Sequence, residues 1–315
     1  PLQVGNATLF LQRAKRKLRE MVFSNQSDSY VAPDMTILAE HITEGGISAF
    51  AYQQEPDSIA WCVRADGVLS CMTYRREEQV VAWHRHIIGG VFGSGNAVVE
   101  SVATIPGDLD EDEVYLIVKR TINGATKRYV ERLSGFDFGN DVNDAFFVDS
   151  GLTYSGSAAT TITGLDHLEG ETVSVLADGS IHPDVTVSSG SVTLQRSVTK
   201  AHIGLPFTSR VETLRIDQGS AIGSAQGKVK RISEVTVRLY RSVGLKVGTS
   251  TSELDIVPFR DSGDSMDTAT PLFTGDKTVE FRGGYDDDAT IVIQQDQPLP
   301  MTILAIFPTV SVFDK

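Results

Sequence analysis

Apolar and polar side chains alternate with a period of two along most of this chain, and that period predicts strands. The stretch "SIAWCVRADGVLSCMTYRREEQVVAWHRH", Ser58 to His86, holds three short apolar or alternating runs separated by Asp66-Gly67 and by the polar segment Arg75 to Gln79. Asp-Gly between apolar runs is a strong hairpin signal, because a type I′ turn needs positive φ at both central residues. "VYLIVKRTINGATKRYVERL", Val114 to Leu133, repeats the design around Asn123-Gly124. The simplest reading of each is a three-stranded antiparallel meander.

One segment could break the pattern. "LFLQRAKRKLREMVF", Leu9 to Phe23, reads as an amphipathic basic helix if Leu11, Ala14, Leu18 and Met21 form one stripe. Sliding the chain by 51 residues places Phe10-Leu11-Gln12-Arg13-Ala14 on Trp61-Cys62-Val63-Arg64-Ala65, and Leu18, Met21 and Phe23 on Leu69, Met72 and Tyr74. Lys15-Arg16 then falls on the Asp66-Gly67 turn. One repeated pattern cannot be a helix in one copy and a hairpin in the other, so the expectation is a hairpin with a basic tip.

Repeats of about 50 residues, each a small meander, are the signature of propeller blades. Three blade-like units are expected at about 5–43, 46–90 and 97–134. Closed propellers have roughly four to eight blades, so either further blades precede Pro1 or the units form an open stack; the non-methionine start favours the former. "SGFDFGNDVNDAFFVDSG" reads as a boundary, with residues 1–135 as the blades and 136–145 as a linker. Residues 146–211, with turn signals at Asp178-Gly179 and Ser189-Gly190, are expected to form a β-sandwich or barrel module, and 212–315 a C-terminal β region containing the alternating run Arg231 to Tyr240. A helix over Ala225 to Ser233 has only Val229 and Ile232 to support it. The fold class expected is therefore all-β: incomplete propeller-like blades followed by sandwich or barrel modules.

Composition narrows the function. With 28 basic and 41 acidic residues the formal charge is −13 over 315 residues, which opposes general nucleic-acid affinity. The chain is 41% hydrophobic and 22% charged, ordinary for a folded protein. No run approaches the roughly 20 apolar residues of a membrane helix, and no charged-then-apolar leader is visible. Two cysteines are too few to staple a chain of this size.

Candidate chemistry clusters between Cys62 and His86. A two-residue turn at Asp66-Gly67 would set Cys62 opposite Cys71, and a turn centred on Glu77-Glu78 would set Cys71 opposite His84. Cys62, Cys71, His84 and His86 would then share one face, with Trp61, Met72 and Trp83 on the other. Two sulfurs and two nitrogens make a sensible zinc set, but the spacing matches no paired-ligand motif, and a flat sheet spreads ligands in a plane. The expectation is buried thiols and no metal. The acidic runs Asp108 to Glu113 and Asp286 to Asp288 lack the order of a calcium loop and read as solvated turns. Lys228, Lys230 and Arg231 read as charges on a strand edge. Nucleophile elbows, zinc-protease and phosphate-loop motifs are absent, and "GVFGSGN" (Gly90 to Asn96) precedes no helix. No catalytic, cofactor-binding or metal residue is assigned, and the chain is not expected to be an enzyme.

Several stretches, "FLQRAKRKLREMVFS…YVAPDMTILAEHI", "QQEPDSIAWCVRADGVLSCMTYRREEQVVAWHRH", "LIVKRTINGATKRYVERL", "GLDHLEGETVSVLADG", "GLPFTSRVETLRI" and "QPLPMTILAIFP", resemble bacteriophage tail structural proteins. The likeness, from about Leu9 to Pro308, is to the tail tube or nozzle proteins of short-tailed phages and related prophages. The resemblance implies a virion component, made in the bacterial host cytoplasm. Its homo-oligomeric ring, commonly sixfold, would contact other tail proteins and let DNA pass without specific binding or membrane insertion. It carries no catalytic residue onto this chain. Two other functions are compatible: a virion module that binds host-surface glycan or protein, with Tyr154 and Tyr285 as candidate aromatics, and a tail-associated hydrolase built on an acidic pair.

Overall fold

A computed structural model of the chain describes residues 1–107, 111–217 and 223–313. It contains strands and two 3-10 turns, Val142–Asp144 and Asp166–Leu168, with no α-helix among the described residues. The chain divides into two compact units, Pro1–Gly135 and Phe136–Lys315.

In the first unit, β1 (Leu2–Val4), β2 (Ala7–Leu11), β3 (Leu18–Ser24) and β4 (Ser29–Val31) form one antiparallel meander, and β5 (Ile47–Gln53), β6 (Ile59–Arg64), β7 (Leu69–Arg75) and β8 (Val80–His86) a second. A two-stranded ribbon of β9 (Val91–Phe92) and β10 (Gly95–Asn96) leads to the third, β11 (Val98–Pro106), β12 (Asp112–Ile122) and β13 (Ala125–Arg132). Two of these meanders thus have four strands rather than three.

The opening segment is a hairpin. Leu11 pairs with Leu18, Gln12 N–H donates to the Lys17 carbonyl at 2.9 Å, and Lys15 takes φ +60° at the tip. Ala14 is exposed and Met21 is 41% exposed, so no helical stripe exists. Two of the basic residues are paired: Lys17 reaches Asp34 at 2.9 Å and Glu40 at 3.2 Å, and Arg19 donates to the Ala32 carbonyl at 2.7 Å.

The second meander is covered on both faces. Ala60, Met72 and Tyr74 pack on Leu9 and Leu18 of the first sheet, while Ile59, Trp61, Val63, Leu69 and Cys71 pack on Val99, Val102, Val114, Leu116 and Val118 of the third. This explains why β6 reads "IAWCVR" without alternation, since a strand buried on both sides needs apolar residues at every position. In the third sheet Arg120 is fully buried. Its Nε donates to the Gly89 carbonyl at 2.7 Å, and its two terminal nitrogens grip both oxygens of Glu131.

The second unit begins where a linker was expected; most of 136–145 is exposed, yet Val142 and Ala145 are buried in the core of this unit. β14 (Asp149–Thr163), β15 (Thr172–Ala177), β16 (Ser180–Thr186) and β17 (Ser191–Leu205) make a sheet in the order β14-β17-β15-β16. The rest comprises β18 (Ser209–Glu212), β19 (Val229–Ser242), β20 (Lys246–Ser250), β21 (Glu253–Ile256), β22 (Phe273–Glu280), β23 (Val292–Gln295) and β24 (Ile303–Phe313). These form sheets in the orders β18-β23-β20-β21 and β22-β19-β24, both contributing to one core around Val237, Leu239, Val247 and Ile293. Because β18 pairs with β23, residues 209–211 join the C-terminal sheets rather than the preceding module. The segment Ala225 to Ser233 ends inside β19, with no helix.

Turn chemistry decides register at four Gly-containing turns. Asn123-Gly124, Asp178-Gly179 and Ser189-Gly190 are two-residue turns with positive φ at both positions, as expected for type I′. At Asp66-Gly67 the connection is one residue longer. Arg64 N–H donates to Val68 O and Gly67 N–H to Arg64 O, both at 3.0 Å, and only Gly67 has positive φ, +85°. This is the three-residue hairpin with glycine in the left-handed position, and its odd length shifts the pairing of β6 against β7 by one.

Two stability predictions follow from these contacts. A Cβ on Gly67 would lie 2.5 Å from Val98 Cγ1 in addition to the strain at φ +85°, so Gly67→Ala is expected to cost roughly 2–4 kcal/mol in a denaturant melt. Burial alone would raise the pKa of Asp34, but hydrogen bonds from Thr36 and Lys17 outweigh it and hold the carboxyl at about 2, against 3.8 when unperturbed. A depressed pKa contributes stability above pH 3.8 that is lost as the pH falls from there to about 2. Asp34→Asn should therefore cost about 1–2 kcal/mol at neutral pH, and the gap between the variant's and the parent's melting curves should close across that acid window.

Candidate functional site

The cysteine–histidine cluster is rearranged by the register shift. Trp61 pairs with Cys71 and Cys62 with Ser70, so Cys62 faces the first sheet's side with Met72, and Trp61 shares the face of Cys71. The expected opposition of Cys62 and Cys71, and the row of Trp61, Met72 and Trp83, are both corrected by the extra turn residue. The second turn is centred as expected: Arg75 pairs with Val80 and Cys71 with His84. His86 follows two residues on and points to the same face. The structure brings Cys71 Sγ and one ring nitrogen each of His84 and His86 to within 4.8 Å of one another, and leaves Cys62 out.

The environment is apolar. Cys71 is fully buried, and the His86 ring lies tilted 5.6 Å from that of Trp61 and meets His84 edge-on at 5.0 Å. His86 Nε2 is buried without a hydrogen-bond partner, which ordinarily costs about 1–3 kcal/mol. Burial, then the neighbouring His84, lowers His86 to about 4, and burial also lowers His84. Both rings are therefore neutral near pH 7. Burial pushes the Cys62 thiol up to about 12; burial, followed by Cys62, raises Cys71 as well.

The remaining candidates are committed elsewhere. An open polar depression of about 550 Å³ in the second unit is lined by Asp141, Asn143, Ser155, Asp178, Thr199 and Lys200. Burial opposes ionisation of Asp178, but N–H groups of Lys200 and Thr199 and the Thr199 hydroxyl hold its carboxyl below the usual range. Lys200 pairs with Asp144. Within that depression Asp178 thus anchors its own turn to Thr199 and Lys200, while Asp141 accepts from Asn143 N–H at 2.9 Å and caps the Val142–Asp144 turn. Asp286 accepts from the N–H groups of Asp288 and Ala289, and Asp288 pairs with Arg215 at 2.9 Å. In the other acidic run Asp108 and Asp110 lie outside the described residues. Asp112 accepts from Gln54 N–H at 2.7 Å, and Glu113 pairs with Arg132.

Of the basic cluster, Lys230 is not an edge charge. It is 2% exposed, and its Nζ donates to the Asp287 carbonyl at 2.5 Å. Tyr154 lies on β14 rather than on a loop, with its hydroxyl donating to the Ser157 carbonyl at 2.5 Å. Tyr285 is on a loop and 64% exposed, packed against Phe313 and Arg231.

Sequence reasoning missed the surface of the first sheet. Met21, Phe23 and Tyr30 are 41%, 47% and 72% exposed on its outer face, and Phe23 packs edge-on against Tyr30 at 5.5 Å. Their repeat partners Met72 and Tyr74 are 0% and 3% exposed, because a sheet covers them. The signal was present in the 51-residue offset, which placed the same residue types on the corresponding face. No family model matches the chain, and no curated protein sequence matches it.

With Cys62 and Cys71 neutral and buried, neither thiol is expected to react with an aromatic disulfide reagent in the native protein, whereas two should titrate after unfolding in guanidinium; fast native labelling would contradict this burial.

Proposed function

We propose that this chain is a structural component of a phage tail, a β-sheet module of the nozzle or tube ring through which DNA leaves the particle. The observation that carries this reading is the uncovered outer face of the first sheet. In the second sheet the equivalent face is closed by a neighbouring meander, so the first sheet presents a surface already shaped for another layer of the same kind. Apolar faces of this type mark assembly contacts. The face-to-face stack is consistent with propeller-like blades, and the three sheets of the second unit with sandwich- or barrel-like modules. The resemblance to tail tube and nozzle proteins supplies the identity of the assembly.

Charge fits the same role. A net −13 keeps a conduit wall from binding its polyanionic cargo. In the depression beside Asp178, Asp178 and Asp141 are both engaged in turn hydrogen bonds, which supports a structural role there. Ring assembly with other tail proteins makes the chain a homo-oligomer whose strand edges are covered by neighbours.

Quantitative mass spectrometry of purified particles, paired with sedimentation and negative-stain imaging of the isolated protein, tests this. The expected result is several copies per particle and closed rings in solution. A protein absent from particles and monomeric at every concentration would overturn the reading.

A further inference from the structure

We propose that Cys71, His84 and His86 form a binding site for a divalent zinc-class cation, set between the second and third sheets of the first unit. The donors are one thiolate sulfur and two imidazole nitrogens, a set that suits zinc and disfavours the hard cations magnesium and calcium.

The geometry supports the assignment at each donor. His84 and His86 are two residues apart on β8, so their rings leave the same face of one strand, and Cys71 stands directly across from His84 on β7. A flat sheet would not ordinarily gather ligands, but a short cysteine beside two longer histidines of the next strand brings three tips close together above the sheet like the legs of a tripod. Tetrahedral zinc, with bonds of about 2.3 Å to sulfur and 2.0–2.1 Å to nitrogen, needs donor atoms roughly 3.4–3.6 Å apart. The three found here lie within 4.8 Å of one another, so small side-chain rotations close the site. Three protein ligands leave one tetrahedral position for water or another small ligand.

A further fact points to a ligand: His86 Nε2 is a buried polar atom without a partner, an arrangement proteins seldom leave uncompensated. Binding replaces the Cys71 thiol proton: the S–H bond breaks, a sulfur–metal bond forms, and one proton leaves to solvent, while the two imidazoles donate without losing a proton. Affinity should therefore rise with pH. Cys62, on the opposite face, takes no part.

The test uses chelator-stripped protein titrated with zinc chloride against a competing chromophoric chelator, and separately with cobalt chloride. About one zinc per chain is expected, together with a thiolate-to-cobalt charge-transfer band. Cys71→Ser and His86→Gln should each weaken zinc binding at least tenfold, and Cys71→Ser should abolish the band. Cys62→Ser should bind as the parent does. His84→Gln, at the more exposed ligand, serves as the second variant where the buried substitutions impair folding by circular dichroism. No zinc retained by the folded parent, or zinc affinity and the cobalt band unchanged in the folded Cys71→Ser or His84→Gln proteins, would overturn the site.

Discussion

Burial of the second meander on both of its faces organises the first unit. Trp61, Leu69 and Cys71 on one side and Ala60, Met72 and Tyr74 on the other are each almost completely removed from water, and each set belongs to a different core. At about 25 cal/mol per Å² of apolar surface, a sheet closed on both sides has far more to lose from misplacement than one facing solvent. Its register must satisfy two neighbours at once. The positions of the cysteine–histidine cluster, of the exposed face of the first sheet and of the connecting turns all derive from that requirement.

Much of this architecture was legible in the sequence because turns and offsets carry local physics. Three Asx- or Ser-Gly dipeptides formed the two-residue turns that their φ preferences demand, and the repeat correctly ruled out a basic helix at Leu9 to Phe23. The failure at Asp66-Gly67 has a physical cause. The same dipeptide serves a two-residue turn and a longer one with glycine alone in the left-handed region, and the two differ by a single residue in pairing. Because side chains alternate, that residue moved Cys62 to the opposite face and brought Trp61 to the side of Cys71. The longer turn also carries a tertiary contact, Val99 N–H donating to the Gly67 carbonyl at 2.9 Å, that no short-range pattern encodes.

Other gaps arise from tertiary context in the same way. The stretch 136–145 has a linker's composition, yet Val142 and Ala145 are drawn into the core because Asp141 caps the short turn between them, accepting from Asn143 N–H at 2.9 Å. Lys230 looked like an edge charge, but its Nζ donates a hydrogen bond to the Asp287 backbone carbonyl, more than fifty residues away. The candidate site was half legible: the pairing of Cys71 with His84 followed from the second turn, and the convergence of His86 from strand period alone. The role of Cys62 required knowledge of the first turn's length.

The buried guanidinium of Arg120 adds a constraint of another kind. A slip of β12 against β13 by two residues would keep every apolar side chain on its proper face, so hydrophobic patterning by itself does not forbid it. A slip that moved Arg120 from its place opposite Lys127 to one opposite Ala125 would carry it away from Glu131 and strand a permanent charge in an apolar interior, which is strongly unfavourable. A single ion pair thus works as an electrostatic ratchet on the hairpin, blocking movement in a direction that greasy contacts would have tolerated.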